Sequence, residues 1–270
     1  MGKENTEKAL NEAYLVQKTT PIISMRSGLA LAELKLLDVY LSKINSHEIT
    51  SRTVRFDKQE LEKIFGVARI RTEVLDAALH HLVSQTVRLQ DKDDPEHFVY
   101  ISLFDRAECR RDDTGKYSVT MRCGESAMKY IFYPENLGYL QYRLSNIIKL
   151  KHRASYMLYL YLETNAFRGT WTVPIEELQS ILLPAKVDAG RGSKAKNKTQ
   201  EPEFTGEFKI FNRNVLKPAM EELAKSTGAE YSCELVREGH KVKAIKFSAP
   251  SKFYDMILDS ESVTLGDDIL

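Results

Sequence analysis

Apolar positions along this chain switch twice from a spacing of two to a spacing near 3.6, in the same order each time. Val54-Arg55-Phe56-Asp57 alternates like a short strand and leads into Lys58-Gln59-Glu60-Leu61, which has helical spacing. Trp171-Thr172-Val173-Pro174 leads into Ile175-Glu176-Glu177-Leu178 in the same way. A second helix follows in each stretch. Val74-Leu75-Asp76-Ala77-Ala78-Leu79-His80-His81-Leu82 matches Val215-Leu216-Lys217-Pro218-Ala219-Met220-Glu221-Glu222-Leu223 almost position for position in its apolar pattern. β-rich sequence closes both copies. The chain therefore carries a strand–helix–helix–β-hairpin unit twice.

The flanks fill in the rest. Tyr14 to Gln17 predicts an edge strand ended by Pro21, and Leu29 to Ile44 an amphipathic helix. Phe98 to Phe104 is strongly β, and Asp112-Asp113-Thr114-Gly115 turns into a partner strand at Tyr117 to Met121, forming either a wing or an extension of a small sheet. Pro134 to Gly138 breaks the pattern. A helix starting near Leu150 is apolar on most sides through Tyr156 and Leu158 to Leu162, which predicts burial, and Gly169 ends it. Between Leu183 and Gly206 the second copy holds an extra segment of about 24 residues, polar and basic at Gly190 to Lys198, expected to be a mobile loop. Ala229 to Val236 and Lys241 to Phe247 then alternate as strands about a turn at Arg237-Glu238-Gly239-His240.

The fold expected is α+β and helix-rich: two tandem winged-helix domains from an internal duplication. They span residues 1–140 and 141–250, with an acidic tail at 251–270. Such modules bind nucleic acid far more often than they catalyse reactions.

Composition narrows the classes. A chain of 270 residues, 43% hydrophobic and 29% charged, supplies enough apolar side chains for two cores. It holds no apolar run of about 18 residues, so no transmembrane helix is expected. Met1 to Lys8 is polar, without a secretory apolar core, and Cys109, Cys123 and Cys233 are widely spaced and odd in number. A cytoplasmic protein follows as the expectation. Net charge is +1, but Lys/Arg against Asp/Glu is 20 to 21 in residues 1–140, 18 to 12 in 141–250 and 1 to 5 in 251–270. The basic excess lies in the second half, where a polyanion would dock.

A helical wheel assigns the two second helices different work. In the later copy Phe211, Val215, Leu216, Ala219, Met220 and Leu223 form a stripe for burial, opposite Ile210, Arg213, Asn214, Lys217 and Glu221. Arg and Asn match guanine and adenine edges in the major groove, Lys217 suits guanine or phosphate, and Ile210 a thymine methyl group. The corresponding face of the earlier copy is Arg69, Thr72, Glu73, Asp76 and His80. Its two carboxylates repel phosphate, which suits self-association better than groove reading. A solvated face on a helical core produces the same charge pattern and is the plain alternative. Pro218 falls mid-helix and predicts a kink. Lys209, with Arg237, His240, Lys241 and Lys243 on the later hairpin, forms a basic set for the DNA backbone. Lys149, Lys151 and Arg153, beside His152, gather where the long helix begins, a second backbone candidate set against plain solvation.

At these residues the chain resembles the iteron-binding plasmid replication initiators of the Rep family. The likeness runs over about residues 14–250, through Leu29 to Leu37, Lys149-Leu150-Lys151-His152-Arg153-Ala154-Ser155-Tyr156 into the Leu/Tyr-rich helix, and most specifically Phe211 to Leu223 with Gly239 to Phe247. The resemblance implies paired winged-helix domains on repeated DNA sites at a plasmid origin. It also implies opening of the adjacent duplex, recruitment of host initiator and helicase, and dimers through the N-terminal domain that repress the initiator's own promoter. Asn212 and Asn214 stand where many members carry basic residues, and the Leu183–Gly206 segment is longer than the family pattern.

Other classes fit less well. A nicking enzyme needs a His-x-His metal pair, which adjacent His80-His81 does not supply, and no Walker loop, Cys-x-x-Cys pair or Gly-x-Ser-x-Gly elbow is present. No cofactor, metal or catalytic residue is expected. A winged-helix transcriptional repressor without a replication role, or a partner-binding scaffold, remains open on these residues.

Overall fold

A computed structural model describes residues 14–90, 94, 96–184, 208–228 and 230–250. The Leu183–Gly206 segment falls almost wholly outside these residues, and the 251–270 tail entirely so. Two compact units are present, with the main cut between Arg153 and Ala154.

In the first unit β1 (Leu15–Thr19) leads through a short α1 (Thr20–Ile23) to α2 (Leu31–Lys43). Helix α2 is buried on nearly every side rather than on one stripe, with Leu34, Leu36, Leu37, Val39 and Tyr40 at 0–2% exposure. It packs against β1 and later helices at once, so even polar positions turn inward. Asp38, fully buried, pairs with Lys18 Nζ of β1 at 2.5 Å and accepts from Tyr142 Oη at 2.9 Å. Burial pushes the Lys18 pKa down, and the Asp38 charge and hydrogen bond oppose that shift.

Strand β2 (Thr53–Asp57) alternates in strict period two, with Val54 and Phe56 inside. The Glu60 carboxylate accepts from the Asp57 backbone N–H at 2.9 Å and starts α3 (Lys58–Ile64). Helix α4 (Thr72–Ser84) buries Leu75, Leu79 and Leu82. Then come β3 (Thr86–Gln90) and β4 (Phe98–Ser102), paired as a two-stranded ribbon, and the hairpin β5 (Phe104–Arg111) and β6 (Tyr117–Cys123). The sheet order is β2-β6-β5.

Helix α5 (Glu125–Ile131), β7 (Tyr139–Arg143) and α6 (Leu144–Ile148) complete the unit. Strand β7 pairs antiparallel with β1 from Leu15↔Arg143 to Thr19↔Tyr139. This ladder draws residues 141–153 into the first unit, so the division falls later than residue 140. A strand needs its partner's backbone groups, and no local signal in the sequence reveals that partner.

The second unit repeats the plan. Helix α7 (Arg153–Asn165) buries Tyr156 to Leu160 and Leu162, as the sequence predicts. It begins at Arg153 rather than near Leu150. Strand β8 (Thr170–Pro174), α8 (Ile175–Leu182), α9 (Phe208–Phe211), a π turn at Asn212–Leu216 and α10 (Lys217–Thr227) follow, and β9 (Ser232–Glu238) and β10 (Lys241–Ser248) close it. The sheet order is β8-β10-β9, the same as β2-β6-β5 with the elements renumbered. Val54↔Met121 and Phe56↔Val119 in the first sheet correspond to Trp171↔Phe247 and Val173↔Ile245 in the second. The duplication read in the sequence is thus a duplication of topology, with the β3–β4 ribbon as the first copy's own addition.

Candidate nucleic-acid interface

The second unit presents its polar chemistry on two features. The first is the helix running from α9 into α10. Phe211, Val215, Leu216, Ala219 and Leu223 are 0–7% exposed and face inward. The Ser155 hydroxyl of α7 donates to the Glu222 carboxylate, tying the inner side of α10 to that helix. Arg213, Asn214 and Lys217 are exposed on the other side, as is Lys209. Ile210 is only half-exposed, so its place in a base-reading set is less open than the wheel predicts. The Arg213 Nε donates to Asn214 Oδ1 at 3.1 Å, aligning the two side chains most suited to base edges. Lys217 lies 3.9 Å from Glu221, with both side chains about 70% exposed, a pair too solvated to hold the ammonium back from a phosphate.

The proline acts differently from a simple kink. Pro218 cannot donate a backbone hydrogen bond. The helix widens just before it into the π turn, where the Lys217 N–H bonds to Asn212 O instead of to the carbonyl four residues back. Asn212, Arg213 and Asn214 all lie in this turn. An extra residue per turn re-aims side chains relative to a regular helix, a common device at functional sites. The wheel assumed one uniform period, which is why it places Ile210 outside.

The second feature is the β9–β10 hairpin. All seven residues of β9 are exposed, while Ile245 and Phe247 anchor the inner end of β10 at 0% exposure. Arg237, His240, Lys241 and Lys243 are exposed around the turn, where Gly239 takes φ +60. Lys243 is 3.5 Å from Glu238 and Lys246 3.8 Å from Glu234, both exposed pairs. The structure brings these cations and the helix residues into one unit.

Other expected residues fall elsewhere. Lys149 and Lys151 are exposed but belong to the first unit. Arg153 is a correction. It is 5% exposed, and its guanidinium donates to the backbone oxygens of Leu29 at 3.1 Å and Ser27 at 3.4 Å. It secures the segment ahead of α2 and is not available to a DNA backbone. A cation at a helix start looks the same in sequence whether it faces solvent or a neighbouring loop.

The first unit also carries a wing that charge counting misses. On β5–β6, Arg106, Arg110, Arg111 and Lys116 are exposed. The Asp112 carboxylate shapes its turn by accepting from the Thr114 and Lys116 N–H groups, each at 2.9 Å, and those bonds with the Thr114 hydroxyl hold its pKa down. Asp105, Glu108, Asp112 and Asp113 on the same hairpin offset most of this charge, Arg106 pairing with Glu108 at 2.7 Å, so a charge sum passes it over; its place in the repeat, equivalent to that of Arg237–Lys243, would have found it. On α4, Glu73, Asp76 and His80 are exposed as the wheel predicts, while His81 Nδ1 lies 2.8 Å from Glu33 Oε1. Among the described residues no His/Cys/Asp/Glu group has a metal-binding arrangement, and no helix is long and apolar enough to cross a membrane.

Known proteins give the chain a place. No curated protein sequence matches it. Among solved structures it is similar to the Pi initiator protein, solved in complex with iteron DNA. That match has a TM-score of 0.68 at 17% identity and covers 90% of this chain and all of the other. A looser likeness, with a TM-score of 0.44 at 12% identity over 84% of this chain and 82% of the other, is to domains 2-3 of RctB. Residues 15–163 match the first winged-helix domain of the initiator replication proteins and residues 175–249 the second. With the duplicated topology, these matches make the chain a member of the initiator replication protein family.

Proposed function

We propose that this chain is a plasmid replication initiator that binds origin repeats as double-stranded DNA, and that its second unit reads the sequence. The observation that carries this is the outward set Arg213, Asn214 and Lys217 on a π-widened helix whose opposite side buries Phe211, Val215, Leu216, Ala219 and Leu223 and half-buries Met220. The similarity to an initiator solved with iteron DNA supports the same reading. Arg213 and Asn214 supply paired donors and acceptors for base edges, and Lys217 a phosphate or guanine contact. Lys209, Arg237, His240, Lys241 and Lys243 hold the backbone and set the register. The β5–β6 wing adds sequence-independent phosphate contacts from the first unit.

Initiation by this chain requires no bond to be made or broken by its own residues: binding energy opens the adjacent duplex, and a host initiator and helicase do the rest. The carboxylates of α4 keep that helix out of a groove and leave the first unit for self-association. The β3–β4 ribbon suits this use, because Phe98 and Tyr100 are 45% and 64% exposed on its outer strand. Dimers formed this way repress the initiator's own promoter from the cytoplasm.

The test is binding to duplexes carrying the origin repeats and to scrambled duplexes across a salt series. Selective binding that the Arg213→Ala/Lys217→Ala double variant loses supports the reading. Equal affinity for both duplexes rejects it. A winged-helix repressor binds DNA equally well, so permanganate footprinting of the origin separates the two: an initiator unpairs bases beside the repeats and a repressor does not.

A further inference from the structure

The hairpin that carries Arg237, His240, Lys241 and Lys243 is held unevenly. All seven residues of β9 are exposed, so burial of its own side chains does not fasten that strand. It is also the edge of the sheet β8-β10-β9, tied by its backbone to β10, where only Ile245 and Phe247 are buried. Tyr231, immediately before β9, fastens the root. Its Oη donates to Glu163 Oε1 of α7 at 3.0 Å, and its ring stands edge-on to Trp171, 6.5 Å away at 79°. Trp171 in turn lies 5.7 Å from Phe247 and donates from Nε1 to Tyr161 Oη of α7 at 3.2 Å. Rings from α7, β8 and β10 thus gather beside the one at the root of β9.

Stability alone is a weak reason for this tie. Glu163 is half-buried, and burial holds its pKa up with only the Tyr231 hydrogen bond opposing. A glutamine would accept the same bond without the cost of withdrawing a charge from water. The first copy fastens the corresponding place with no charge at all. Phe104, which opens β5, is fully buried and meets Tyr40 of α2 edge-on at 5.0 Å. The second copy keeps an aromatic root and adds a hydrogen bond, which is directional and so sets an angle as well as a contact.

We propose that Glu163 and Tyr231 are positioning residues for DNA binding: their hydrogen bond sets the angle of the β9–β10 hairpin against α7 and so aims Arg237, Lys241 and Lys243 at the phosphates. The first turn of α7 holds α10 through Ser155 and Glu222, so one helix places the reader and the grip in a common frame. The proposal rests on the reading of the hairpin as a backbone grip, and not on which repeat the second unit selects.

The test uses the full chain on scrambled duplex, read by fluorescence anisotropy. A lack of preference for the repeats, which rejects the initiator reading, therefore does not decide it. Tyr231→Phe and Glu163→Leu each break the bond, whereas Glu163→Gln keeps an acceptor. At a slope of about −0.9, one phosphate contact is worth about fifteenfold at 50 mM salt and about fourfold at 200 mM, relative to 1 M. Tyr231→Phe and Glu163→Leu weaken binding by up to about those factors. The double variant is no weaker than either single one, because both remove the same bond. Glu163→Gln binds like the parent. Emission of Trp171, the chain's single tryptophan, shifts in the two bond-breaking variants and not in Glu163→Gln. Far-ultraviolet circular dichroism shows each variant folded under the assay conditions, so weaker binding is not lost protein. Parent-like affinity in both bond-breaking variants overturns the proposal, because the hairpin then holds its angle without the bond. Binding by Glu163→Gln as weak as by Glu163→Leu also overturns it and makes the charge, not the bond, the cause.

Discussion

Replacing Lys241 and Lys243 together with alanine tests the wing's role quantitatively. Both ammonium groups are exposed on the outer part of β10, beyond the Ile245 and Phe247 anchors. Among the described residues Lys243 pairs with Glu238 at 3.5 Å, with side chains 57% and 79% exposed. Such a pair contributes about 0–1 kcal/mol, so the free protein loses little stability in the variant and a phosphate displaces Glu238 easily. Each phosphate neutralised on duplex DNA contributes about −0.9 to the slope of log affinity against log salt. Two lost contacts make the slope shallower by about 1.8. Between 50 and 200 mM salt the parent therefore loses roughly twelvefold more affinity than the variant. Anisotropy titrations on a repeat duplex and on scrambled duplex, at several salt concentrations, measure both slopes. The variant binds more weakly at low salt, converges on the parent at high salt and keeps its preference for the repeats. An unchanged slope refutes the phosphate role of the wing, and a collapsed preference with an unchanged slope means the hairpin reads bases.

Further predictions concern recognition and stability. Arg213→Ala costs about 1–3 kcal/mol on repeat DNA and relaxes selectivity at one base position; equal loss on every duplex reassigns Arg213 to the backbone. Asp38→Ala leaves the buried Lys18 without its carboxylate and costs about 3–5 kcal/mol in urea denaturation, whereas Lys18→Met/Asp38→Leu recovers most of it. Additive costs in that cycle mean the two charges do not act as a pair. Burial raises the Glu163 pKa, and the hydrogen bond it accepts from Tyr231 Oη at 3.0 Å only partly opposes this. Between 4.5 and the raised value the folded state binds more protons than the unfolded chain, so this group makes stability fall as pH rises. Glu163→Gln keeps an acceptor for Tyr231 and removes that slope, so its stability gain over the parent grows from pH 4 to pH 7. A gain independent of pH contradicts the assignment.

Much of the fold was legible because it depends on periodicity. The alternation of Val54-Arg55-Phe56-Asp57 and Trp171-Thr172-Val173-Pro174 fixes which faces are buried, and a one-residue slip would put every apolar side chain in water. The stripe from Phe211 to Leu223 is readable on the same ground. Less legible was whatever depends on a distant partner. Residues 141–153 look like the start of the second domain until β7 is seen paired with β1. Arg153 looks like a surface cation until the Leu29 and Ser27 carbonyls are found against it. The β5–β6 wing was hidden by a charge sum, which averages over position.

The sequence by itself determined the duplicated plan, the inward and outward faces of its helices and strands, and the chemistry of the residues offered to DNA. These follow from local spacing and side-chain type, which a chain carries before it folds. Tertiary structure alone decided that β1 closes on β7, that Lys18 and Asp38 meet in the interior, and that Lys35, Lys63, Lys149 and Lys151 surround one cavity. It also decided that the helix ahead of Pro218 relaxes into a π turn. Each of these joins residues by packing or by a backbone compromise, and its free energy depends on what lies opposite in space rather than on what lies next in the chain.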